Sequence, residues 1–174
     1  MRSLLLAILL VASPVSGVLS PTVSQETPAV FEGGLIDMSS DWGEARACLV
    51  WPDQLEVPEC FRTEAELDQR RDELGGHGDQ ASLLACSTSL NLYDLTYYGL
   101  PVLTIVGGGG WYNLAGYGFD NRTSSFKVGA CDAYFADGTF GSGDWYPTAL
   151  TRAYVWSPTM TSGWNNRVSS VFYP

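Results

Sequence analysis

The second half of the chain alternates apolar and polar residues in short runs. Leu90-Asn91-Leu92-Tyr93 and Ser125-Phe126-Lys127-Val128 put every other side chain on one face, the period-2 pattern of a strand. Val102 to Val106 is rich in β-branched residues, and Thr151 to Trp156 and Val168 to Tyr173 read the same way. Glycines and prolines punctuate the intervals. Several short strands within residues 86–174 predict an all-β sandwich.

The first half has a different pattern. Residues 18–30 are polar, contain Pro21 and Pro28, and are expected to be mobile. Thr63 can cap a helix, with Glu66 three positions later completing a capping box. Ala65 to Leu74 holds good helix formers, Arg70 and Arg71 lie late, and Gly75 can stop the helix. Leu67 and Leu74 are one heptad apart, which predicts a narrow face docking on the helix's own domain. Gly75-Gly76-His77-Gly78-Asp79 is a candidate linker.

At the start, Arg2 precedes the apolar run Leu4 to Val11, and Ser16-Gly17 supplies small residues for cleavage. This reads as a secretory signal over residues 1–17. The run is short for a membrane span, Pro14 interrupts it, and no later stretch in the sequence is long enough. The expected organisation is a signal (1–17), an acidic, partly helical extension (18–80) and a β domain (81–174), secreted and without a membrane span after signal removal.

Charge reinforces the division. Residues 18–85 carry 14 acidic and 4 basic residues, against 5 and 4 in residues 86–174. The chain total of −10 argues against nucleic acid as a partner, since phosphate binding needs a basic surface. Export makes the four cysteines disulfide candidates. Of three connectivities, Cys48–Cys60 with Cys86–Cys131 keeps each pair within its own segment. Zinc is disfavoured, because there is one histidine and no Cys-x-x-Cys pair.

An internal repeat carries the functional reading. Gly118-Phe119-Asp120-Asn121-Arg122-Thr123-Ser124-Ser125 recurs 45 residues later as Gly163-Trp164-Asn165-Asn166-Arg167-Val168-Ser169-Ser170. Five of the eight positions are identical, and a β-run follows each copy. Upstream of each copy stands an aromatic pair followed by glycine: Tyr93 with Tyr98-Gly99, and Phe135 with Phe140-Gly141.

These residues resemble the βγ-crystallin family over about residues 86–174. The resemblance implies two four-stranded Greek keys paired into one sandwich, each with an aromatic-containing folded hairpin and a serine-bearing corner. Calcium-binding microbial members carry Asn/Asp-Asn/Asp-x-x-Ser/Thr-Ser, and both Asp120 to Ser125 and Asn165 to Ser170 fit it. The hairpins depart from the family, which places glycine two residues after the second aromatic. Here Leu100 and Ser142 stand there, so Gly99 and Gly141 are expected to take the positive φ.

By the same resemblance, Asn121 and Asn166 would ligate calcium through their side chains. Ser124 and Ser169 would do so through hydroxyls, and Arg122 and Arg167 through backbone carbonyls. Asp120 and Asn165 would hold the loops, and Ser125 and Ser170 would brace the hairpins. About two ions are expected. The donor set suits a hard cation, and one formal charge among these motifs implies a modest affinity of about 10⁻⁵ to 10⁻³ M.

Other signals carry less. Gly107 to Gly110 lacks the Lys-Ser/Thr of a phosphate loop and reads as a turn. His77 is the only histidine, no spacing marks a carboxylate pair, and no enzyme is expected. Asn121-Arg122-Thr123 is a glycosylation sequon, and a glycan there would compete with calcium. Phe119 and Trp164 are expected in the core, while Trp111 and Trp145 divide evenly between core and surface. An alternative function is inhibition of a secreted metalloproteinase, with loops 107–111 and 144–148 as candidates. Attachment to cell-surface material is a third.

Overall fold

Thr63 and Glu66 close the expected capping box in the computed structural model, which describes residues 27–75 and 88–174. Glu66 N–H donates to Thr63 Oγ1 (3.2 Å), and Thr63 N–H donates to Glu66 Oε2 (3.0 Å). The helix, α1 (Glu64–Gly75), lays Leu67, fully buried, and Leu74 on a sheet of its own molecule. The signal segment, the 80/81 boundary, His77 and Cys86 lie outside the described residues, and so does the Cys86–Cys131 pair at its Cys86 end. The other expected disulfide, Cys48–Cys60, is present.

The extension holds more than a helix. Its strands are β1 (Pro28–Phe31), β2 (Gly34–Asp37), β3 (Ala47–Val50) and β4 (Glu59–Phe61). Residues 28–30, expected to be mobile, instead lie in β1, which pairs with β2 and β4. The second half supplies β5 (Ser89–Leu95), β6 (Gly99–Val106), β7 (Gly110–Asn113), β8 (Ser125–Lys127), β9 (Tyr134–Ala136), β10 (Trp156–Ser157) and β11 (Ser170–Tyr173). One sheet runs β10-β8-β5-β6-β3-β4-β1-β2, and the other runs β7-β11-β9.

The order contains two interlocked Greek keys. In the first, β5 and β6 form a hairpin, β7 crosses to the small sheet, and β8 returns beside β5. In the second, β9 meets Trp145 through a bridge, β10 crosses to the large sheet, and β11 returns beside β9. Each motif therefore lends its third strand to the other's sheet. The expected strand at Thr151 to Trp156 is absent until Trp156. Pro147 opens a 3-10 turn (Thr148–Leu150), the Thr151 hydroxyl bonds Ala133 O (2.6 Å), and Tyr154 takes φ 64°.

Alternation explains the two cores. Leu90, Leu92, Leu103, Ile105 and Phe126 face Tyr112, Phe135, Val171 and Tyr173 across the sandwich. Residues of the opposite parity, Ala47, Leu49, Tyr93, Val102 and Val106, pack under Leu67. Strands β3 and β6 are thus covered on both faces, which is why they read as near-continuous apolar runs, interrupted in β6 by the buried Thr104. They pair in parallel, Ala47 opposite Val102 through Val50 opposite Ile105, joining the extension to the crystallin-like half.

Candidate metal centre

The repeated octapeptide folds the same way twice. Gly118 and Gly163 take positive φ (62° and 81°), and Phe119 and Trp164 plug the core as expected. Asn121 and Asn166 both adopt φ 55°, a left-handed conformation that asparagine tolerates better than most residues. The shared glycine and asparagine thus give both turns the same sequence of left-handed positions.

The two loops meet. Asn121 N–H donates to Val168 O (3.0 Å), and Asn166 N–H donates to Thr123 O (3.0 Å), a reciprocal pair across the junction. Each loop is also tied to its own motif's first strand, Ser124 N–H to Tyr93 O (2.8 Å) and Ser169 N–H to Ala136 O (2.9 Å). Ser124, almost fully buried, donates its hydroxyl to Asn166 Oδ1 (2.8 Å). The other loop differs: Asn121 Nδ2 donates to its neighbour Asp120 Oδ2 (3.0 Å). Asp120 Oδ1 and Thr123 Oγ1 are buried without a hydrogen-bond partner. Asn165 and Asn166 are exposed, and Ser169 is half-buried. The structure thus brings Asp120, Asn121, Arg122 and Ser124 together with Asn166 and its loop.

Both arginines of the motifs are paired with acids. Arg122 pairs with Asp94 (2.8 Å), and Arg167 pairs with Asp137 and Asp144 (2.6 Å each). Burial pushes the Asp137 carboxyl up, but the Asp144 amide and Arg167 outweigh it and leave it below the ordinary aspartate value. These acids neutralise cationic groups that would otherwise oppose a metal ion. The sequence reading missed them, although Asp94, near the end of β5, and Asp137, just past β9, each follow the matching residues Tyr93 and Ala136.

The serine braces are present in both motifs. Ser125 Oγ donates to Leu95 O (2.6 Å) and accepts from Tyr98 N–H (3.0 Å). Ser170 Oγ donates to Gly138 O (2.5 Å) and accepts from Gly141 N–H (2.9 Å). Tyr98 and Gly141 are therefore equivalent, with φ of 63° and 77°. The expectation for Gly141 is met, while Gly99 has φ −78° and Tyr98 takes the positive-φ place. The aromatic pairing in the sequence is offset by one residue. Tyr93 corresponds to Ala136, not Phe135, and the two aromatics face opposite sides of their sheets, as a one-residue slip requires.

Two other loops are defined. Gly107, Gly108 and Gly109 all take positive φ in a closed turn, with Tyr112 OH donating to Gly107 O (2.7 Å). Burial pushes the Tyr112 hydroxyl up to about 12. Trp111 and Trp145 meet edge-on at 5.6 Å beside Phe172 and Tyr134, on the small sheet's outer face, and Trp145 is half exposed. Among the described residues, no group of three or more His, Cys, Asp or Glu could hold a metal. No helix there is long and apolar enough to cross a membrane.

Exchange of third strands, with serine-braced folded hairpins, makes this fold a βγ-crystallin-type double Greek key. Among solved structures, it is similar to a βγ-crystallin from Ciona intestinalis (20% identity, TM-score 0.41, 49% of this chain and 99% of that one). It is similar also to a βγ-crystallin domain from Clostridium beijerinckii (16%, 0.41, 49% and 95%). A third similar structure is the N-terminal domain of Protein S (21%, 0.38, 49% and 93%). No family model and no curated protein matches the sequence.

Proposed function

We propose that the chain is a secreted, non-enzymatic, calcium-binding protein whose ions seat at the junction of the paired loops and stabilise the domain. The observation that carries this is the cross-loop contact of Ser124 Oγ with Asn166 Oδ1, which joins two of the assigned ligands from different motifs. The available donors are hard oxygens, as calcium requires. The buried, unpartnered Asp120 Oδ1 adds negative potential beside them and fits a cation better than an apolar neighbour.

Asn166 and Ser124, with the Arg122 carbonyl, would hold one ion. Asn121 and Ser169, with the Arg167 carbonyl, would hold the other. Asp120 and Asn165 would shape the loops. Binding the folded state alone stabilises by mass action, about 2.7 kcal/mol at a hundredfold excess over Kd.

Calorimetric titration of the full chain with calcium tests this, with melting curves in calcium and in chelator. Saturable uptake of about two ions and a raised Tm are expected. Both should be lost in Ser124→Ala/Ser169→Ala, and unchanged binding by that variant would overturn the site assignment.

A further inference from the structure

We infer that Trp42, in the N-terminal extension, is a positioning residue for the first calcium loop, so that the extension sets how tightly that loop's ligands hold both ions. This rests on the calcium reading above. The extension's backbone lies directly against the start of that loop. A Cβ at Gly118 would fall 2.3 Å from Met38 O and 3.1 Å from Ser40 O, so nothing intervenes.

Trp42 closes this contact. Its Nε1–H bridges Met38 O (3.1 Å) and Tyr117 O (3.0 Å), one acceptor from each side. Its ring stacks on Phe119 at 5.6 Å. Arg122 spreads its guanidinium over Phe119 (5.2 Å) and the Trp42 ring (6.0 Å), and donates to Gly118 O (2.8 Å). The indole, Tyr117, Gly118, Phe119 and Arg122 form one packed unit. Asn121 and the Arg122 carbonyl, assigned to different ions, both project from it.

Among the described residues, the second loop has no such backing. Trp164 packs edge-on against Tyr146 (5.4 Å), and Arg167 lies over Trp164 (4.8 Å) while pairing with Asp137 and Asp144. Every one of these partners belongs to the crystallin-like half. Removing the indole therefore loosens one loop and leaves the other braced. Coupling of this kind is reciprocal: calcium in the first loop in turn holds the extension in place.

The test is calcium titration of the full chain by calorimetry for the parent, Trp42→Ala and Trp42→Phe. Trp42→Ala should weaken both sites by about tenfold, because each ion takes a ligand from this unit, while the circular dichroism spectrum at the titration temperature stays that of the parent. Trp42→Phe keeps a ring on Phe119, loses the bridging N–H, and should fall between parent and Trp42→Ala. It covers the case in which the alanine variant does not fold. Parent-like affinity at both sites in both variants overturns the inference. Weakening that only follows a loss of folded protein, read as a changed circular dichroism spectrum at the titration temperature, also overturns it, because that marks general loss of stability rather than positioning. A parent protein that takes up no calcium would sink the calcium reading itself, and this inference with it.

Discussion

Ser124 and Asn166, 42 residues apart, share a hydrogen bond of 2.8 Å, while the side chain of Asn121, the equivalent asparagine, bonds its own neighbour Asp120. The repeat is symmetric in sequence, yet its two side-chain junctions are not. Both asparagines sit at φ 55°, so replacing either with alanine carries the same backbone penalty. The difference between the two variants isolates the cross-loop bond. In chelator, Asn166→Ala should lose about 1 kcal/mol more stability than Asn121→Ala, because it strands the buried Ser124 hydroxyl. Urea denaturation measures this, and equal losses would mean that the bond contributes nothing.

Ser125 and Ser170 are both fully buried, and each hydroxyl joins two backbone groups of a folded hairpin. Alanine at either position leaves an N–H and a C=O without that partner. Each substitution should cost about 1–3 kcal/mol. The urea midpoint should fall with an unchanged m-value, as expected for a loss confined to the folded state. A midpoint within error of the parent for both would remove the bracing role.

Residues 88–174 alone would leave β6 as an open edge and uncover Val102 and Val106, which now pack beneath Leu67. Exposed edges invite pairing with other chains. That fragment should elute as aggregate or show a broad, weakened near-UV melting transition. A monomeric fragment with the parent's Tm would show that β3 and α1 contribute nothing to the crystallin-like half.

Acid should destabilise the protein in a defined window. The Ser39 hydroxyl and amide hold Asp37 below the ordinary aspartate value, and the Ala153 amide with Arg152 does the same for Asp132. Carboxylates with lowered folded-state pKa stabilise above the unfolded value, about 3.9, and that contribution is lost as pH falls through the folded value. Tm should therefore stay level from about pH 7 to 5 and drop below about 4. Asp37→Asn/Asp132→Asn should flatten the drop. An identical acid limb in that variant would assign the loss to other groups.

What the sequence determined by itself was local. The Thr63–Glu66 box, the strands at 90–93, 102–106 and 125–127, and the two matching loops each depend on residues a few positions apart. Such residues fix φ and ψ through caps, alternation and tolerated left-handed turns. The repeat added one long-range fact, since two copies of a unit that cannot bury its apolar face alone must pair. Only the tertiary structure decided what lies against what. The pairing of β3 with β6, the offset that makes Tyr93 equivalent to Ala136, and the packing of Trp42 behind Phe119 leave no local trace. Backbone hydrogen bonds between strands are the same for any sequence, and ring stacking needs only an aromatic residue at each end. The reach of the extension to the first repeated loop is therefore a property of packing, legible only once the chain is folded.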